Sequence, residues 1–393
     1  MSKKPVPNAD RPTNKASGTE RRPIAAPSAR AAPVPTPRAA SASRYAPHPP
    51  PFPIDLHLDA NEGVAPAINL AAIVASLGQG VRRYPTAASL QAALGDRLGV
   101  NPTRVMVTAG GDEVIDRACR AYLEPGRELI LPVPTFEMIP RYAALAGATV
   151  RRVPWAAGAF PIDAVLSQVT QSTAMIAVVS PNNPTGAIAS AADLRRLSAA
   201  APHALLLVDL AYTEFADHDL TPDALALPNA LVIRTFSKAF GLAGLRVGYA
   251  IGHEPIINTL RAVAGPFPVS SVSLAIAGAA LASAPTWMPG VVARVREERR
   301  ELALAIGTIG GRAGDSQGNF VLAEFDGVDT GAIWRALASR GIAVRRVNMP
   351  RPGEPSAPTP QPNALRITCP ASRAAMDRLL PALRDSVKEA QPA

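Results

Sequence analysis

Thr235-Phe-Ser-Lys-Ala-Phe-Gly-Leu-Ala-Gly-Leu-Arg246 follows directly on the apolar stretch Ala230-Leu-Val-Ile233. A lysine amine does chemistry only when it can lose its proton and attack a carbonyl. Here a hydroxyl, Ser237, precedes Lys238, and a permanent cation, Arg246, follows it eight residues later. That grouping suits an aldehyde-bearing coenzyme with a phosphate tail: the lysine takes the aldehyde, and the hydroxyl and guanidinium take the phosphate. A lone Ser-Lys would read as an exposed turn. The length of the string favours the chemical reading.

On both sides of this stretch, short apolar runs alternate with helical patterns after residue 80. Strands are expected at Arg104–Ala109, Glu128–Val133, Ala174–Ser180, Ala204–Asp209, Leu231–Arg234 and Val247–Ile251, with helices at Asp112–Tyr122, Pro134–Leu145 and Ala191–Ala200. Alternating strands and helices imply an α/β fold, with a mostly parallel sheet covered by helices on both faces. Ligands of such sheets collect beyond the carboxyl ends of the strands. Gly110-Gly-Asp-Glu113, Pro134-Thr-Phe136, Pro181-Asn-Asn-Pro-Thr-Gly186, Asp209 and Ser237-Lys238 lie at five successive strand ends, so five groups are expected on one rim.

After about residue 266 the pattern changes to a smaller C-terminal α+β domain. It has an amphipathic helix at Val292–Gly307, strands at Asn319–Phe325, Ile342–Arg345 and Leu365–Thr368, and a Pro-rich loop at Arg351–Pro362. The expected organisation is a tail over 1–50, an arm over 51–80, a large domain over 81–265 and a small domain over 266–388. Ala262–Ala293 carries no charge, but Pro266, Pro268, Pro285 and Pro289 interrupt it, and it reads as a loop and a buried helix rather than a membrane span.

The chain has 393 residues and a formal charge of +9. Residues 1–50 hold nine Lys/Arg against two acids, so +7 of that charge sits in the tail, together with eleven prolines. With so little to bury, the tail is expected to be disordered. It lacks the apolar core of a secretory signal, and its prolines argue against the amphipathic helix of a transit peptide. No aromatics interleave its cations before Tyr45, so it reads as a solvated charge run rather than a nucleic-acid-binding segment. Cys119 and Cys369 are isolated and the five histidines are scattered, which offers neither a disulfide framework nor a metal site. The chain is expected to be cytoplasmic, with no membrane or nucleic-acid partner.

Several residues carry both a chemical and a plain reading. Gly111, Asp112 and Glu113 open a helix whose free N–H groups and dipole suit a phosphate, or form an ordinary N-cap turn. Asp209 closes an apolar strand, where a carboxylate needs a cation such as a protonated pyridine nitrogen, or an arginine. Asn183 and Tyr212 are candidates to hydrogen-bond a ring oxygen. Phe136 is a candidate to stack on the ring, or to pack in the core. Arg366 offers a planar fork for a carboxylate or phosphate, or a surface ion pair.

Taken together, these residues resemble the histidinol-phosphate aminotransferase family, within the pyridoxal 5′-phosphate (PLP) enzymes of fold type I, over about Leu56–Leu383. The resemblance implies PLP as cofactor and a catalytic pair of Lys238 and Asp209. It implies cofactor contacts from Gly111, Asp112, Glu113, Phe136, Asn183, Tyr212, Ser237 and Arg246. Asp59-Ala-Asn61-Glu62 is similar to the family's Asn-Glu segment near the substrate, and Arg83-Tyr84-Pro85 to its Arg-Tyr-Pro element. The family's tyrosine there reaches the neighbouring subunit's cofactor, so Tyr84 implies a homodimer with shared active sites. Asn61, Tyr84, Arg345 and Arg366 are the implied substrate contacts. Two departures stand out: Asn61-Glu-Gly-Val64 replaces Asn-Glu-Asn-Pro, and Asp209-Leu-Ala-Tyr212 replaces Asp-Glu-Ala-Tyr. Both are expected to bear on the substrate entrance and to leave the chemistry of the lysine untouched.

The implied reaction is transfer of an amino group from a small-molecule donor, L-histidinol phosphate, to a 2-oxo acid, 2-oxoglutarate. Transamination of aromatic or other amino acids and decarboxylation of threonine phosphate are the rival activities. An inactive binding protein is the rival class; it would be marked by loss of the lysine or the aspartate, and both are present.

Overall fold

The computed structural model describes residues 34–42, 52–350 and 362–391. Most of the tail and nearly all of the Pro-rich stretch 351–362 therefore lie outside the described residues. Within the tail, Pro37–Ser41 form one short helix capped by Thr36, and Arg38 donates to the Ala146 carbonyl at 2.9 Å.

Among the described residues, twelve strands run in chain order. They are β1 (Leu56–Leu58), β2 (Val105–Thr108), β3 (Glu128–Val133), β4 (Thr149–Pro154), β5 (Thr173–Val179), β6 (Leu205–Asp209), β7 (Ala230–Thr235), β8 (Gly248–Gly252), β9 (Arg312–Ala313), β10 (Phe320–Glu324), β11 (Ile342–Val347) and β12 (Ala364–Thr368). Seven form the large sheet in the order β2-β8-β7-β6-β5-β3-β4. Only β8 runs against its neighbours. The other five form a second sheet in the order β1-β11-β12-β10-β9.

The apolar runs of the large sheet are continuous because both faces are covered. Successive side chains alternate between faces. Leu129, Leu131, Met175, Ala177, Leu205, Leu207, Leu231 and Ile233 pack in one core beneath the helices Gly110–Tyr122, Met138–Ala146 and Glu254–Ala262. Ile130, Ile176, Val178, Leu206, Val208 and Val232 belong to the opposite core. The helix at Ala191–Ala200 starts on a capping box in which Ser190 and Asp193 satisfy each other's backbone N–H groups.

Three expectations are corrected. β4 had gone unread: it is an edge strand with one buried side chain, Val153, so its sequence carries no apolar run. β1 belongs to the arm by sequence but pairs in parallel with β11, which makes it an edge of the small sheet. After the expected loop, the two helices read separately over Ala262–Ala293 and Val292–Gly307 are one 38-residue helix, Ser271–Thr308, with Pro285 and Pro289 inside it. Tertiary burial overrides the prolines: Ile276, Ala280, Leu281, Ala284, Val295, Leu302 and Ile306 all face the main core. The helix is long and apolar enough to cross a bilayer by length and composition. Its first half borders Tyr84 and Leu90, while Glu298 in its second half accepts from Ala371 N–H at 2.6 Å. It therefore joins the two sheets as a beam.

Candidate active site

The register of the large sheet builds the site. Val179 of β5 lies opposite Asp209 of β6, and Asp209 opposite Ile233 of β7. All three point from one face into a cavity of about 350 Å³ beyond the strand ends. On β6 that face reads Leu205, Leu207, Asp209, so a carboxylate takes the position at which the next apolar core residue is due. Lining the same cavity are Ala60, Glu62, Gly111, Asp112, Ile115, Phe136, Asn183, Tyr212, Thr235, Ser237, Lys238, Gly244 and Arg246. The groups expected at five strand ends thus meet at one place.

Asp209 is buried, and its Oδ1 accepts from Ala211 N–H at 3.0 Å. Burial pushes its pKa up to about 6; neighbouring Asp112 adds to the rise, while the Ala211 N–H and Lys238 oppose it. The Lys238 amine donates to the Ala60 carbonyl at 2.9 Å and lies 5.6 Å from the centre of the Tyr212 ring. Arg246 closes the cavity beside Ser237 and Asp112. Its guanidinium pairs with Asp112 at 3.0 Å and reaches Ser237 Oγ at 3.4 Å.

Further bonds orient the ring-facing residues. Asn61 Nδ2 donates to the Tyr212 hydroxyl at 3.0 Å, which leaves that hydroxyl's own proton for another acceptor. Arg366 Nη1 donates to Asn183 Oδ1 at 2.5 Å, which leaves the Asn183 amide protons for another acceptor. Phe320 supports both from below, edge-on to Tyr212 and 5.6 Å under the Arg366 guanidinium.

Five expected site residues do not line the cavity. The Glu113 carboxylate turns back to accept from Ala109 N–H at 2.5 Å and pairs with Arg117, so it caps its own helix. Asn61 is fully buried and acts through Tyr212. Arg366 acts through Asn183. Arg345, opposite Arg366 in the register of β11 and β12, pairs with Glu137 at 3.2 Å. Tyr84 is 82% exposed on another face, stacked on Phe267 at 4.6 Å. Two contributors were missed by sequence reading. Thr235 lines the cavity and accepts from Ser237 N–H at 3.0 Å. Asn182 ties the loops after β3 and β5 through Pro134 O and Thr185 Oγ1, each at 2.9 Å. Thr235 opens the motif stretch and could have been found there; Asn182 was hidden beside Asn183.

Residues 55–383 match the family described as aminotransferase class I and II. A histidinol-phosphate aminotransferase from Granulibacter bethesdensis is 38% identical over 303 residues, covering 74% of this chain and 81% of that protein. An aromatic amino acid aminotransferase from Thermobifida fusca is 35% identical over 298 residues, covering 73% and 82%. Among solved structures, histidinol-phosphate aminotransferase from Sinorhizobium meliloti in complex with pyridoxal-5′-phosphate aligns with TM-score 0.77 at 24% identity, covering 90% of this chain and 97% of that one. Fold and site together define a PLP-dependent enzyme of fold type I. More particularly, the chain belongs to the class I and II aminotransferases, within them to the histidinol-phosphate aminotransferase family, and is a PLP-dependent transaminase.

Proposed function

We propose that this transaminase moves the amino group of L-histidinol phosphate to 2-oxoglutarate, yielding imidazole-acetol phosphate and glutamate, with PLP held in the cavity described above. The observation that carries the cofactor assignment is the shared cavity of Lys238 and Asp209. A carboxylate buried without a cationic hydrogen-bond partner among the described residues fits a protonated ring nitrogen. The Lys238 amine lines the same cavity, where it donates to the Ala60 carbonyl. Ser237, Arg246 and the first N–H groups of the helix Gly110–Tyr122 suit the phosphate.

When bound, PLP supplies an electron sink for charge developing at the donor's carbon. Lys238 would hold the aldehyde carbon covalently until the donor's amine takes that carbon in its place, and the returned lysine amine would then move the proton at the donor carbon. Asp209 would keep the ring nitrogen protonated. Tyr212 and Asn183 would offer their free protons to the ring oxygen, and Phe136 would cover a ring face. Asp112 acts as the counter-charge that orients Arg246, and its carboxylate is not itself a phosphate ligand. Arg345 and Arg366 sit side by side on the small sheet, which supports a role in holding the substrate's anionic group. Leu70, Val74, Val81, Tyr84 and Phe267 form an exposed apolar face, which supports a homodimer in which Tyr84 serves the partner's site.

The substrate reading follows the 38% relative, and the 35% aromatic relative favours L-phenylalanine as the second candidate. Turnover of the two donors with 2-oxoglutarate separates them, and carbon dioxide release from threonine phosphate would mark a decarboxylase. For the cofactor, Lys238→Ala is expected to lose the borohydride-reducible adduct; an adduct that survives the substitution refutes the lysine assignment.

A further inference from the structure

The segment Asp59–Val64 crosses from the small sheet to the lysine loop and is held at Asp59, Ala60, Asn61 and Gly63. It leaves β1, which is anchored to β11. The Asp59 carbonyl accepts from Arg366 Nη2 at 2.6 Å, and the Ala60 carbonyl from the Lys238 amine at 2.9 Å. Asn61, in the left-handed region at φ 53°, bonds Thr368 Oγ1 through both its N–H and its Oδ1, at 3.1 Å each. Its carbonyl accepts from Asn319 Nδ2 at 3.2 Å. Ala60 and Glu62 form one wall of the cavity.

At Gly63 the strap meets the lysine's own backbone. A methyl placed on Gly63 would overlap the Lys238 carbonyl oxygen and lie 3.0 Å from the Lys238 carbonyl carbon and 3.2 Å from Gly241 N. The reciprocal contact has the same character: Gly241, at φ +63°, lies under the Val64 carbonyl, with no room for a side chain. Gly241 N–H in turn donates to the Lys238 carbonyl at 2.9 Å. Backbone thus packs on backbone from both sides of the catalytic loop, and neither obstructing group is a flexible side chain that could move aside. This is also where the chain carries Gly-Val in place of the family's Asn-Pro.

We infer that the strap Asp59–Val64 sets the position of Lys238 and shields its bond to the coenzyme, with Gly63 as the positioning residue. The small sheet, through β1, thereby governs how the large sheet presents its amine. Any side chain at position 63 forces the strap off the loop and opens that wall to water. The inference rests on Lys238 as the attachment point, because the strap has no other reacting group to shield.

The test uses the full-length enzyme loaded with PLP. Hydroxylamine takes the aldehyde carbon as an oxime and returns the lysine amine, so the rate of colour change reports access to the bond. In Gly63→Ala the borohydride-fixed adduct on Lys238 is expected to persist, the hydroxylamine rate to rise about tenfold, and kcat to fall by a similar factor. Leu337→Ala, in the buried helix Thr330–Ser339, is the control for lost stability alone and is expected to keep the wild-type hydroxylamine rate. If Gly63→Ala fails to fold, Thr368→Val removes the two bonds between Asn61 and Thr368 and is expected to raise the rate in the same direction, by less. A wild-type hydroxylamine rate in whichever of these variants folds, or a rise matched by Leu337→Ala, overturns the inference. Absence of any lysine adduct in the wild type would instead sink the cofactor reading on which it rests.

Discussion

Asp209 shows how one residue's burial couples stability to chemistry. Its folded-state pKa is raised from 3.8 to about 6. Between those values the folded chain holds a proton that the unfolded chain has lost, so stability is full below about pH 4 and falls as pH rises through 6. A gap of about two pH units corresponds to about 3 kcal/mol. In coenzyme-free protein the melting temperature should therefore decline from pH 4 to pH 7, and Asp209→Asn should flatten that slope. Loading PLP should flatten it too, because a ring cation facing the carboxylate restores its charged form. A slope unchanged by the asparagine would mean that another group dominates. This residue was legible in the sequence because a charge at the end of an apolar strand has few reasons to exist. Glu113 and Asn61 were not placed correctly, because neither spacing nor residue type reveals which way a side chain turns. Glu113 had its own helix terminus to satisfy, and Asn61 had Tyr212.

Among the elements, the segment after β6 is held by a buried ion pair. Arg234 of β7 donates to Glu214 at 2.6 Å and to Thr221 Oγ1 at 2.7 Å, with Asp219 at 3.8 Å. The pair lies on the face of β7 opposite Ile233 and anchors the turn that begins with Tyr212. Removing one partner of a buried pair strands the other charge. Glu214→Ala should cost about 3 kcal/mol in urea unfolding, while the double replacement Arg234→Met with Glu214→Leu should cost less. A double variant less stable than the single would show that the pair contributes beyond its own charge balance. The elements themselves were readable wherever periodicity was strong, as in β3, β5, β6 and Ala191–Ala200. They failed where a neighbour decides the outcome. β4 needs β3 to become a strand, β1 needs β11, and the helix Ser271–Thr308 needs the core on which Ile276, Ala280, Ala284 and Val295 lie, while its two prolines face outward.

For the whole molecule, the exposed helix Leu70–Leu77 has no buried residue and continues into the face that carries Val81, Tyr84 and Phe267. An apolar helix covered only on the side where Ile73 meets the core suits association with a second copy through its other face. Val74→Asp, about 45% exposed and remote from the cavity lining, should shift the protein toward monomer in light scattering. Specific activity should fall with the dimer fraction, because Tyr84 would serve the other site. Full activity in a monomeric variant would confine the site to one chain.

By itself, the sequence determined the kind of sheet, the rim of strand ends and the amine at position 238, because these depend on local periodicity and on residue types that chemistry uses sparingly. The tertiary structure decided which of the named side chains face the cavity, and that a strap from the small sheet presses backbone to backbone on the lysine loop. Such contacts join residues more than 170 positions apart. They depend on how two sheets dock around one continuous helix, and no window of neighbouring residues encodes that.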